Sequence, residues 1–116
     1  MHPRLRYLVG STVGLLPVTI RRGAAQGARW TLFPWSSYWR GTHEPEVQAA
    51  IMSLGGGDIS GWNCWDLGAH FGLYSVALAL RVGPEGQVAA FEPNPVSFAR
   101  LERHRRMNGL DRLKTY

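Results

Sequence analysis

From residue 42 onward, apolar and polar positions follow first a helical period and then alternate between short apolar runs and helical ones. In "THEPEVQAAIMSLGGG", residues 42–57, Val47, Ala50, Ile51 and Leu54 fall at i, i+3, i+4 and i+7. This spacing predicts a helix opened by Thr42 and Pro45 and ended by Gly55 to Gly57. "WNCWDL", 62–67, is too short for a helix and predicts a buried strand, and "GAHFG", 68–72, predicts a loop. "LYSVALALRV", 73–82, is apolar nearly all round, the pattern of a helix pressed against a sheet. "GPEG" then ends it, a glycine C-cap followed by proline. "QVAAFE", 87–92, predicts a second strand and "PNPVSFARLERHRRMNGL", 93–110, a second helix ending at Asn108 and Gly109. "DRLKTY", 111–116, reads as the start of a third strand.

Helix–strand–helix–strand–helix–strand is the first half of a doubly wound, mostly parallel, Rossmann-like α/β sheet. A parallel sheet needs both faces covered and normally has more strands than this, so a truncated chain is expected, the complete protein being about twice as long. Upstream, "RWTLFPWSSYWR", 29–40, is dense in aromatics and predicts one or two short strands around Pro34. Those rings read as a flap packed on the core, or else as a wall facing substrate or membrane. Residues 1–28, rich in Gly, Arg and small residues, show no pattern that assigns an element. They are set apart as a basic N-terminal segment from a domain beginning at residue 29.

Charge changes this picture little. Of the formal +5, residues 1–40 carry six arginines and no acid, whereas residues 41–116 hold seven bases against eight acids. A basic arm could meet nucleic acid or anionic lipid. The balanced body of the domain argues against nucleic acid, and membrane contact by the N-terminus is the weaker expectation too. Arg100, Arg103, Arg105 and Arg106 read as the solvated side of their helix. Arg4 and Arg6 before the apolar-leaning run Leu8–Ile20 mimic a signal peptide. Gly10, Gly14 and Pro17 interrupt that run, Arg21 and Arg22 follow it, and no small-x-small cleavage site comes next. Thirteen residues are also short of the roughly 20 that span a bilayer, so a cytoplasmic protein is expected. Cys64, the lone cysteine, reads as a buried inert thiol, and no Cys/His cluster has metal-ligand spacing.

The candidate chemistry lies at the strand ends. In an open parallel sheet, ligands bind beyond the carboxyl ends of the strands. Asp66 stands at the end of the first strand and Glu92 closes the second. Gly68 and Gly72 free the intervening backbone to approach a ligand, and the helix N-terminus can receive a carboxylate or phosphate. Glu92 lies 24 residues after Gly68, about where a Rossmann-type acid accepts both ribose hydroxyls, so an adenosine-containing ligand is expected. A dinucleotide fingerprint needs glycine where His70 stands, which disfavours nicotinamide and flavin dinucleotides. S-adenosylmethionine lacks a pyrophosphate. Its ammonium suits Asp66 and its carboxylate suits backbone N–H groups.

"WDLGAHFGLYSVALALRVGPEGQVAAFEPNP", 65–95, closely resembles the cofactor-binding segment of class I methyltransferases, and more specifically the FkbM family. That family typically reads acid-x-Gly-Ala-Asn-x-Gly-aromatic-aromatic, then Gly-Pro-x-Gly and Phe-Glu-Pro-Asn-Pro. "YWRGTHEPEVQAAI" is similar to its Gly-x-x-Glu helix start, and "LERHRRMNGL" to its Leu-x-x-Asn-x-x-x-Asn-Gly helix. The likeness covers about residues 20–116 and is strongest over 65–95. Two departures stand out: His70 replaces the usual Asn of the loop, and His104 the first Asn of the second helix.

The resemblance implies that residues 29–116 are the N-terminal part of an S-adenosylmethionine-binding methyltransferase domain. The cofactor would be held by Asp66, by Gly68, Ala69, His70, Phe71 and Gly72, and by Glu92, Pro93 and Asn94, with Glu44 near its methionine end. It implies O-methyl transfer to a hydroxyl of a sugar, polyketide or other small metabolite, so the partner is a small-molecule or glycan acceptor. No catalytic base is assigned; His70 reads as a structural cofactor contact. Two alternatives stay open: a non-catalytic module binding an adenosine ligand, and an NAD-binding Rossmann protein.

Overall fold

In the computed structural model, which describes residues 2–5, 16–32 and 36–116, the sequence pattern becomes a parallel sheet with a hairpin beside it. Strands β1 (Pro17–Thr19) and β2 (Arg29–Thr31) pair antiparallel. Then follow α1 (Pro45–Ser53), β3 (Asn63–Leu67), α2 (Leu73–Val82), β4 (Gln87–Phe91), α3 (Pro95–Met107) and β5 (Leu113–Thr115). The sheet order is β3-β4-β5, all parallel, with Asp66 opposite Ala90 and Ala90 opposite Thr115. The expected alternation over 42–116 is therefore present. Pro34 and the run Leu8–Leu15, on which two expectations rested, lie outside the described residues.

Local chemistry explains the element ends. Asn94 caps α3: its Oδ1 accepts the N–H groups of Val96 and Ser97 at 3.0 and 3.1 Å, and Pro95 fills the first helical position. Ser97, Leu101 and His104 recur at i, i+4 and i+7 as the buried face. At the other end Asn108 brackets Arg29, accepting its N–H at 2.7 Å and donating to its carbonyl at 2.8 Å, so α3 is fastened to β2. Gly83 closes α2 at φ +68.

In α1 the buried side chain is Gln48 rather than the apolar stripe; Ala50 and Leu54 are exposed and Val47 and Ile51 half-buried. Gln48 Oε1 accepts the Ala24 N–H at 3.0 Å, while Nε2 donates to the His43 carbonyl. A polar residue thus pins two loops together beneath the helix.

The strand read as buried is not. Side chains of one face, Val88, Ala90 and Leu113, lie under α2 and α3. The opposite face leaves Trp65 75%, Leu67 73% and Tyr116 64% exposed. The reason is topological: β3, β4 and β5 are laid down in spatial order, so successive crossovers of one hand place both helices on one side. Trp65, Phe91 and Tyr116 form an aromatic row across the bare side, with ring centroids 6.1 and 5.1 Å apart. Cys64 is half-buried rather than buried, and its burial raises the thiol pKa.

The hairpin joins the core through Ile20, Ala25, Ala28 and Trp30. The rings of 29–40 divide accordingly: Trp30 is 1% exposed, and Tyr38 and Trp39 pack half-buried against the core. For these three rings that agrees with the packed flap; Phe33 and Trp35 lie outside the described residues. The arginines of α3 are less free than a solvated side implies. Arg105 pairs with Glu102 at 3.0 Å, and the Arg100 guanidinium lies 5.1 Å from the Phe71 ring centroid. Among the described residues no helix is long and apolar enough to cross a membrane.

Candidate functional site

The loop between β3 and α2 is built on three left-handed residues: Gly68 at φ +80, His70 at φ +54 and Gly72 at φ +90. The two glycines serve different ends. A Cβ on Gly68 would meet nothing within 4 Å, so that position faces open space at the strand end. A Cβ on Gly72 would stand 2.5 Å from Leu101 Cδ1, so this glycine lets α3 pack against the loop. His70 takes the left-handed turn where the related pattern has Asn; Asn, Asp and His are the side chains that tolerate that region best.

Two of the loop donors are consumed locally. The N–H groups of Gly68 and Ala69 both reach the Phe91 carbonyl at 2.9 Å, which ties the end of β3 to the end of β4. The His70 N–H donates to Glu92 Oε2 at 2.8 Å, and Glu92 Oε1 accepts the Asn94 N–H at 3.2 Å. A carboxylate has about four lone-pair sites, so Glu92 keeps acceptor capacity on both oxygens. Helix capping belongs to Asn94, which leaves Glu92 for other work.

Glu92, His70 and Asn94 therefore come together, with Gly68 open beside them and exposed Pro93 turning the chain into α3. Asp66 makes its hydrogen bond to another element. It is half-buried on the helix-covered side, its Oδ2 accepting the Ser75 hydroxyl at 2.5 Å under the first turn of α2. Ala69 is buried, and Phe71 stacks on His70 with centroids 3.8 Å apart.

Facing the loop is a cleft of about 150 Å³ whose far wall is Tyr38, His43, Glu44 and Tyr74. Tyr38 Oη lies 3.1 Å from His70 Nδ1. Glu44, itself left-handed at φ 41, accepts the Tyr74 hydroxyl at 2.7 Å and lies 2.9 Å from His43 Nε2. The Tyr74 hydrogen bond holds the Glu44 carboxyl below its usual range, and burial pushes both tyrosines up. Glu44 was the one member suggested by a motif; the others lie in an aromatic-rich stretch or an apolar helix without distinguishing spacing. His104 Nδ1 lies 2.7 Å from the Phe71 carbonyl oxygen, behind the loop. Among the described residues no cluster of three or more His, Cys, Asp or Glu side chains could hold a metal ion.

The fold, as distinct from the site, is similar to that of solved structures described as methyltransferases. The chain is similar to a protein-L-isoaspartate O-methyltransferase (TM-score 0.55, 21% identity, covering 62% of this chain and 22% of that one). It is similar to a SAM-dependent methyltransferase from Aquifex aeolicus (TM-score 0.50, 21% identity, covering 61% and 35%). It is also similar to TYW2 of P. horikoshii in complex with MeSAdo (TM-score 0.54, 19% identity, covering 78% and 32%). The chain spans between about a fifth and about a third of the length of these structures. No protein-family model matches it, and no curated protein sequence does. The likeness is one of fold, a Rossmann-like α/β arrangement, present here as the parallel β3-α2-β4-α3-β5 unit.

Proposed function

We propose that this chain is the cofactor-binding part of an S-adenosylmethionine-dependent methyltransferase of the FkbM type, acting on a hydroxyl of a sugar, polyketide or other small metabolite. The observation that carries the reading is Glu92: a carboxylate at the end of β4, held by the His70 and Asn94 N–H groups, beside a glycine with open space in front of it. The residues present fit the cofactor. Glu92 has lone pairs left for two ribose hydroxyls, Asp66 supplies negative charge for an ammonium, and the cleft beside the loop is walled by a second acid, Glu44. The N–H groups of Gly68 and Ala69 already serve Phe91, so in this reading the two residues contribute shape rather than donors.

Bound S-adenosylmethionine supplies an activated methyl group on a sulfonium. The chain's own task is then to hold and orient, since bringing an acceptor oxygen in line with the methyl carbon is the larger part of such a transfer. Glu92 fixes one end of the ligand and the Glu44–Tyr74 pair lines the other. Structures described as SAM-dependent methyltransferases share the fold, which supports the class of reaction. The hydroxyl acceptor rests on the FkbM resemblance.

Calorimetric titration of the full-length protein with S-adenosylhomocysteine and, separately, with NAD tests the reading. Binding of the first without the second is the expected result. Tight NAD binding without S-adenosylhomocysteine binding overturns it.

A further inference from the structure

His104 has no exposed surface, yet every polar atom of its ring has a partner. Nδ1 lies 2.7 Å from the Phe71 carbonyl oxygen, an acceptor, so Nδ1 carries the proton. Nε2 is then the acceptor. It receives the Thr31 N–H at 3.3 Å and the Thr31 hydroxyl at 2.8 Å. The ring also stacks on Trp30 at 3.5 Å and 13°. One neutral imidazole thus joins β2, α3 and the β3–α2 loop.

We propose that His104 is a positioning residue, which clamps the Phe71 carbonyl from behind while Glu92 holds the His70 N–H from in front. The two tethers act on adjacent residues of the loop, so the left-handed turns at His70 and Gly72 are fixed from both sides. Neighbouring residues of α3 complete the platform: Leu101 packs where Gly72 lacks a Cβ, and Arg100 lies over the Phe71 ring. A loop held in its binding shape spends less of its interaction energy on ordering, so the clamp acts on ligand affinity. A core histidine that merely fills space would act on stability alone. The inference rests on the proposed cofactor role of the loop.

The test compares His104→Leu and His104→Gln with wild type in the full-length protein. Three readouts are taken: S-adenosylhomocysteine affinity by calorimetry, amide hydrogen exchange, and the imidazole tautomer by ¹⁵N NMR. Leu keeps the bulk and loses the hydrogen bonds. It should weaken S-adenosylhomocysteine binding ~10- to 100-fold and speed exchange at residues 68–72 more than in β4. Gln can donate to the Phe71 carbonyl and accept from Thr31, so it should recover at least half of that loss on a logarithmic scale. An unchanged affinity in His104→Leu overturns the proposal, and so does an Nε2–H tautomer in wild type. If Leu fails to fold, His104→Phe, which keeps a ring and loses the hydrogen bonds, takes its place: weaker S-adenosylhomocysteine binding with faster exchange at 68–72 supports the clamp, and unchanged affinity overturns it. If wild type binds no S-adenosylhomocysteine while exchange at 68–72 still responds to His104, the cofactor reading falls and the clamp stands.

Discussion

Glu92 Oε2 and the His70 amide are 2.8 Å apart, so the acid that ends β4 and the loop that ends β3 are one hydrogen-bonded unit before any ligand arrives. Removing the carboxylate should therefore act twice. Hydrogen bonds to a charged acceptor contribute about 1.5–3 kcal/mol each, so Glu92→Ala should weaken S-adenosylhomocysteine binding roughly ten- to a thousandfold, water recovering part. Glu92→Gln keeps the shape and one acceptor and should fall between. Calorimetry and thermal melts on the same samples separate the effects; an Ala variant that melts lower but binds normally would remove adenosine from this strand end.

The two loop glycines should fail differently. Gly72→Ala combines a strained φ with overlap on Leu101, a cost of roughly 2–4 kcal/mol in stability. Adding Leu101→Ala removes the overlap and should show a favourable coupling in a double-mutant cycle. Gly68→Ala, facing open space, should cost only the backbone strain, about 1–2 kcal/mol, while binding drops more steeply than at position 72 relative to that cost. Equal losses of stability at the two positions would contradict this.

Acid should weaken the hub behind the loop. Burial lowers His104 to about 4 from 6.5, with Arg100 and Arg103 adding to the shift and the Phe71 hydrogen bond opposing it. Between those values the unfolded chain binds the extra proton and the folded chain does not. Stability from this group is full above pH 6.5 and lost as pH falls toward 4, on the order of 3 kcal/mol in all. Denaturant melts across that window should show a flatter slope in His104→Gln; an unchanged slope would mean that other groups carry the transition.

The bare sheet face makes a prediction about solution behaviour. With Trp65, Leu67 and Tyr116 exposed, the 116 residues expressed alone should self-associate with concentration. Trp65→Thr with Leu67→Thr keeps strand propensity and should shift sedimentation toward monomer. A monomeric wild-type chain across the dilution series would argue that this face is tolerated in water.

Element order over 42–116 was legible in the sequence because each helix and strand carries its own period and its own punctuation. Glu92 was legible because its distance from Gly68 is set by one strand–helix–strand unit. The hairpin at 17–31 was not, since its pairing rests on strands of three residues that no period marks. Nor was the exposure of β3: an apolar run looks alike under one helical layer or two. Thr31 meets His104 across 73 positions and Tyr38 meets His70 across 32. Such contacts are properties of the assembled chain, and local spacing carries no trace of them.

The shape of the β3–α2 loop comes largely from main-chain dihedrals at residues 68, 70 and 72, with the Gly68 and Ala69 amides answered by another main-chain atom. Selection on such a loop constrains handedness more than side-chain identity. Position 70 can then take any side chain that tolerates the left-handed turn, His as well as Asn, without reshaping the loop. A substitution that forbids the left-handed turn should be purged while neighbouring positions change freely. The shape of this loop is accordingly a property of backbone conformation more than of the side chains that adopt it.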